Sequence, residues 1–211
     1  MNYKKPTTIL AFDLHKVLFC YNYSAALKLL CTQLPVRALW AVIFRPLFWL
    51  ELYKTSRRTR VLDDIFERVE KKYPQAQALW PFGYALSNTQ KPRAHMQELL
   101  LSLKQQGHIL ILCSNIGPIP RLALEQKYPE FFSLFDSSLT PEKSTGYLQK
   151  PQEAFFASLK LLATEKYPEI TSIVLIDDRL SNINQAQKMG ISGILFISLS
   201  KLKTSLSKLH Q

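Results

Sequence analysis

The chain of 211 residues carries a formal net charge of +11, with 47% hydrophobic and 20% charged residues. That length allows one sizeable core with an inserted subdomain and excludes two large domains, and the composition excludes a disordered chain. The positive charge favours anionic partners (phosphorylated small molecules, nucleic acid or an acidic membrane face) without choosing among them.

Lys4 and Lys5 precede an apolar run that Asp13, His15 and Lys16 interrupt. This makes a poor signal-peptide core and a good first strand, "TTILAFD" (7–13). From about Tyr21 to Arg93 the pattern is helical, in "SAALKLLCTQL", "VRALWAVIFRPLFWLELY" and "RVLDDIFERVEKKY", and no strand is expected. Pro46 should kink or end the second of these helices. The helix-like "AHMQELLLSLKQQG", stopped by Gly107, leads into a second strand, "GHILILCSN" (107–115). A brief third strand is expected at "LFDSS" (134–138), then a helix over "QEAFFASLKLLATEKY". "TSIVLIDD" (171–178) is a fourth strand, "LSNINQAQKMG" a helix, and "SGILFIS" (192–198) a fifth strand. In the tail, Leu199, Leu202, Leu206 and Leu209 share one helical face, which predicts a final helix packed on the core.

Continuous apolar strands alternating with helices imply an α/β fold, a Rossmann-like parallel sheet covered on both faces. Residues 1–20 and 94–211 would form this core and residues 21–93 an inserted helical cap. The three cysteines, Cys20, Cys31 and Cys113, show no paired spacing. Reduced thiols and a cytoplasmic location are therefore expected, with Cys113 a buried core thiol. His95, His108 and His210 show no zinc-site spacing.

In parallel α/β sheets chemistry collects beyond the carboxyl ends of the strands. Asp13, Ser114 with Asn115, and Asp177 with Asp178 all fall there, so one crevice could hold them. Singly, such residues are usually helix caps or loop carboxylates; their order is more specific. "FDLHKVL", "LCSNIG", "QKPQEAFF" and "LIDDRLSNINQAQKMG" resemble the successive motifs of the haloacid dehalogenase-like hydrolases. The match is closest to the branch with a helical cap after the first strand, which includes many small-molecule phosphatases and the phosphatase half of soluble epoxide hydrolases. It spans about Thr8 to Ser198, and within the cap it extends only to position and helical character.

The resemblance implies a phosphatase acting on a small phosphorylated metabolite, with Asp13 as nucleophile and metal ligand. Ser114 and Asn115 would hold the transferring phosphoryl group and Lys150 would neutralise it. Asp178 and the His15 main-chain carbonyl would ligate Mg²⁺. Asp177 would orient Lys150 or reach the metal through water, and Asn182 would support that loop. A carboxylate nucleophile and a phosphate dianion repel each other, so a cation, an ammonium and neutral donors are needed to offset the charge. An oxygen-rich ligand set of this kind suits Mg²⁺.

His15 stands where the family's phosphatases carry a second aspartate, whose side chain shuttles a proton. Imidazole, with a reference pKa of ~6.5, can do this near neutrality. Three readings follow: a working acid/base, an altered or reduced chemistry, or a binding or membrane-surface role with catalysis lost. Lys16 stands where the family prefers glycine, so the loop is expected to be shaped differently. The family's carbon–halogen hydrolases also lack the second aspartate and need no metal, but the intact Asp177–Asp178 pair argues against that reaction.

"ALWAVIFRPLFWL" (38–50) is too short to span a bilayer and leads to the basic "KTSRRTR". Trp40, Phe44, Phe48 and Trp49 could form the cap's own core, with the charges on a solvated edge. Alternatively, residues 38–60 could meet an anionic membrane, aromatics inserted and arginines at the headgroups. Nucleic acid is not expected as a partner, because no recognisable module accompanies the charge.

Overall fold

The computed structural model describes residues 8–170 and 172–208, with only the backbone described at 38 and 41–43. Thr7 and Thr171 of two expected strands, Leu209 of the expected last helix, and His210 lie outside the described residues. In chain order, β1 (Ile9–Phe12) and β2 (Phe19–Cys20) lead to five helices: α1 (Tyr23–Gln33), α2 (Val36–Ile43), α3 (Pro46–Arg58), α4 (Leu62–Glu70) and α5 (Trp80–Ser87). The chain returns through β3 (Lys91–Pro92), α6 (Met96–Gln105), β4 (Ile109–Cys113), α7 (Pro118–Lys127) and α8 (Pro129–Phe132). It ends with β5 (Ser137–Leu139), α9 (Glu153–Lys166), β6 (Ile173–Asp177), α10 (Leu180–Lys188), β7 (Ser192–Leu195) and α11 (Leu199–Ser207).

Five strands form one parallel sheet in the order β5-β4-β1-β6-β7. This is the α/β, Rossmann-like arrangement that the apolar runs imply. Strand β1 lies at its centre, with Ile9 opposite both Ile109 and Ile173. Every residue of β1 is fully buried, because alternate side chains enter opposite cores. Leu10 and Phe12 pack with Met96 and Leu100 of α6 and Leu202 of α11, whereas Ile9 and Ala11 pack with Phe155 and Phe156 of α9 and Ile183 of α10. Burial of each phenylalanine contributes about 1.5–3 kcal/mol. The third strand begins later than "LFDSS" suggests. Asp136 is held outside it, accepting the Leu110 N–H at 2.9 Å and pairing with Lys104 at 2.7 Å.

The helical stretch is not free of strand. Phe19–Cys20 pairs antiparallel with Lys91–Pro92, so a short ribbon closes the excursion where it leaves and rejoins the core. Pro46 breaks the helix as expected: α2 stops at Ile43, Arg45 caps α3, and Pro46 opens it. The segment has a small core of its own, with Phe66 stacked on Trp80 at 4.1 Å and Phe48 edge-on to Tyr73. Of the four aromatics considered for that core, only Phe48 is buried. Trp40, Phe44 and Trp49 are 59%, 73% and 40% exposed: Trp49 lies off the inward face that Phe48 and Thr55 define on α3, and Trp40 and Phe44 precede that helix. Polar ties hold the segment to the sheet: Tyr147 Oη to Glu67 at 2.7 Å, Gln149 to Thr59 Oγ1 at 3.0 Å, and Asp63 to the Ile119 N–H at 3.2 Å.

Candidate active site

Three central strands deliver their last polar groups to one place. Asp13 follows β1, its N–H bonded to the Ile176 carbonyl at 2.9 Å. Asp177 ends β6, and Cys113 ends β4. Lys150, from the loop before α9, joins all three through Nζ. It reaches Asp13 Oδ1 at 3.0 Å, the Cys113 carbonyl at 2.6 Å and Asp177 Oδ2 at 2.6 Å. The lysine is 1% exposed, so the position must be enforced from its main chain. Asn115 does this: its Nδ2 donates to the Lys150 carbonyl and its Oδ1 accepts the Lys150 N–H, both at 2.8 Å. The following Lys150–Pro151 bond is cis.

Burial alone would pull the Lys150 ammonium down, but the Asp13 and Asp177 carboxylates outweigh it and hold the group above its ordinary value. Burial pushes the Asp177 carboxyl up, and the Lys150 ammonium opposes this. Asp177 also accepts the Arg179 N–H and both bonds from Asn182 Nδ2, all at 2.9 Å, which supports the ionised pair. Burial chiefly, with the Asp13 and Asp177 charges adding and the Lys150 ammonium opposing, raises the neighbouring Cys113 thiol to about 12, so it is an inert core thiol.

Asp178 differs from Asp177. It is half-buried, and Lys16 approaches it only to 3.9 Å. Burial raises its carboxyl, and the negative charges of Asp13 and Asp177 raise it further. Asp13, Asp177 and Asp178 each offer an oxygen within 4.8 Å of the others. A hard divalent cation fits this set: every donor is an oxygen, and carboxylate crowding at Asp178 is what such a cation relieves.

His15 leaves the same loop. Its Nδ1 lies 2.7 Å from Gln90 Oε1, and Gln90 Nε2 donates to the Ser87 carbonyl at 2.9 Å. The second bond fixes the amide orientation, so His15 Nδ1 is the donor to Gln90. Lys16 takes up φ +63°, the left-handed conformation usual for glycine. The sequence leads one to expect a differently shaped loop; instead the lysine itself adopts the backbone conformation that favours glycine.

Asp13, His15, Asn115, Lys150, Asp178 and Asn182 all line a cavity of about 310 Å³. Ser114 and Asp177 are fully buried behind it, and the Ser114 hydroxyl has no hydrogen-bond partner among the described residues. Asn115 differs from expectation in emphasis, since its amide is engaged by the Lys150 main chain. Sequence reasoning missed Gln90, Tyr21, Arg60 and Arg179. Nothing local marks Gln90, which lies 75 residues from its partner. A second cavity of about 460 Å³ adjoins the first through His15, Tyr21, Arg60 and Asn115, with Leu62, Leu86, Ile116 and Pro120 in its walls.

No protein-family model matches the sequence, and no curated protein matches it. Solved structures do. An L-2-haloacid dehalogenase from Xanthobacter autotrophicus, with chloropropionic acid covalently bound, superposes with a TM-score of 0.60 at 15% identity, covering 96% of this chain and 83% of that one. A HAD family enzyme from Bacteroides thetaiotaomicron, solved with magnesium and inorganic phosphate, gives 0.55 at 18% identity over 93% and 98% of the two chains. The putative HAD-hydrolase YfnB from Bacillus subtilis, bound to magnesium, gives 0.54 at 18% identity over 90% and 86%. The chain has the haloacid dehalogenase-like fold. That fold is common to hydrolases of phosphate and of carbon–halogen bonds, so the reaction of this haloacid dehalogenase-like chain is read from its side chains.

Proposed function

We propose that the protein is a magnesium-dependent phosphatase that forms an aspartyl-phosphate on Asp13. The observation that carries this reading is the joint presence of the Asp13–Asp177–Asp178 oxygen cluster and the Lys150 ammonium between two of its members. Lys150 holds Asp13 Oδ1, leaving Oδ2 to attack phosphorus as the bond to the leaving oxygen breaks. His15, tethered through Nδ1, gives its Nε2 proton to that oxygen and takes one back from the water that later cleaves the ester. Lys150 and the neighbouring Arg60 and Arg179 offset the phosphoryl charge, and the orphaned Ser114 hydroxyl is a donor for it. Magnesium, held by Asp13, Asp178 and the His15 main-chain carbonyl, would supply electrostatic stabilisation of the equatorial oxygens. Asp177 and Asn182 position Lys150. The apolar walls of the adjoining cavity fit a small phosphorylated metabolite whose leaving group is partly apolar. The helical segment supplies much of that wall and acts as the substrate-selecting cap. The free thiols of Cys20, Cys31 and Cys113 suit a reducing compartment such as the cytoplasm.

Turnover of p-nitrophenyl phosphate with Mg²⁺, its loss in EDTA, and its loss in Asp13→Asn are the expected results. Chloride release from a 2-haloacid in the presence of EDTA would replace this reading with dehalogenation. No turnover across a phosphomonoester panel would leave the chain a binding relative.

A further inference from the structure

The outer surface of the first three helices is apolar where a helical segment of this kind should be wetted. On α1 and its C-cap, Tyr23, Leu27, Leu30 and Leu34 recur at i, i+4, i+7 and i+11 and all are exposed, and no residue of that helix is buried. Trp40 on α2 and Phe44 just after it stand exposed, their rings 5.3 Å from each other. On α3, the face turned away from Phe48 and Thr55 runs Leu47, Leu50, Lys54, Arg57, apolar at its start and cationic at its end. Charge is as one-sided as hydropathy. Between residues 21 and 62 the chain has seven lysines and arginines and a single acidic residue, Glu51, which is engaged by Lys72 at 2.8 Å.

We propose that α1–α3 form a docking face for an anionic lipid bilayer. The choice of occupant follows from needing both halves of the surface at once. A nucleic acid would use Arg57 and Arg58 but leave Trp40, Phe44 and Leu47 in water. A purely apolar protein groove would leave the cations facing hydrocarbon. The bilayer interface accepts aromatic and leucine side chains at the acyl boundary while lipid phosphates meet the arginines. Attachment is peripheral: among the described residues no helix is long and apolar enough to cross a membrane. Tyr23, the first residue of the α1 stripe, also lines the larger cavity, so the face adjoins the candidate site.

Vesicle flotation of the whole protein tests this independently of any activity. Wild type is expected to float with vesicles of phosphatidylcholine mixed with phosphatidylglycerol, weakly with phosphatidylcholine alone, and less as salt is raised. The pairs Trp40→Ser/Phe44→Ser and Arg57→Gln/Arg58→Gln should each weaken binding to the anionic vesicles about tenfold or more. These positions are exposed, so the variants should keep the wild-type melting temperature, which serves as the folding check. The proposal is overturned if wild type ignores anionic vesicles at low salt. It is also overturned if Trp40→Ser/Phe44→Ser binds them as wild type does, which indicates adsorption of a basic protein alone. Conversion of a wild-type dimer to a monomer by that same pair would likewise overturn it, in favour of a second copy of the chain.

Discussion

Lys16 carries a backbone penalty, and among the described residues its side chain makes no bond shorter than the 3.9 Å approach to Asp178. A non-glycine residue in the left-handed region costs roughly 1–2 kcal/mol, part of which glycine would return as unfolded-state entropy. Lys16→Gly should therefore stabilise the fold by about 1 kcal/mol in chemical denaturation. Under the proposed mechanism, turnover depends on its neighbour His15. His15→Ala should lower turnover of an alkyl phosphate by about 10²–10⁴-fold, and that of acetyl phosphate, whose leaving group needs no proton, much less. In that mechanism Gln90 serves through its bond to the imidazole, as a positioning residue. Gln90→Leu should lower kcat with little change in KM, and adding it to His15→Ala should cause no further loss. The sequence shows that a histidine replaces the usual aspartate; it does not show what orients the ring. The partner comes from the far end of the helical excursion, and a single chain offers no signal for such a pair.

At the scale of elements, helix α7 is capped from outside its own neighbourhood. Asp63, in the first turn of α4, accepts the Ile119 N–H at 3.2 Å, and a Cβ on Gly117 would fall 1.8 Å from its Oδ2. Glycine is thus required there by the carboxylate's approach rather than by a turn. Burial raises the Asp63 carboxyl, more than the Ile119 amide lowers it. For an acid with a raised folded pKa, the contribution to stability is full below the unfolded value, about 3.9, and is lost as pH rises through the folded one. Asp63→Asn keeps the acceptor and removes the charge, so it should gain stability relative to wild type as pH rises through that window. Asp63→Ala loses the cap and should cost about 1 kcal/mol, both read from denaturation midpoints over a pH series. The strands and the helices α6, α9, α10 and α11 were legible because their apolar residues recur at strand or helical spacing. The ribbon of Phe19–Cys20 with Lys91–Pro92 was not, since two residues per strand leave no pattern to read.

For the molecule as a whole, Lys150 links the ends of three strands that are adjacent in the sheet, and its ammonium separates two buried carboxylates. Lys150→Met would leave Asp13 and Asp177 facing each other without a counter-charge. A loss of about 3–5 kcal/mol is expected, measurable by denaturation of the metal-free protein. The motif order made this convergence legible, because strand ends in a parallel sheet share one edge. The outer face of the helical segment was only half legible: the aromatics stood out in the sequence, but which of them faced inward depended on how α3 rolled against α4.

The ribbon has a consequence for how much of the chain the sheet needs. Cys20 and Lys91 sit opposite each other, and Arg93 fastens the junction through its N–H to the Leu18 carbonyl and its side chain to the Val17 carbonyl. Departure and return thus share one doorway, and beyond it the excursion meets the rest of the molecule through a few side-chain ties from Thr59, Asp63 and Glu67. A tight turn joining the two sides would leave every strand its neighbours. Under the proposed function, another excursion that keeps those ties would alter which molecules reach Asp13 but not the carboxylate that awaits them.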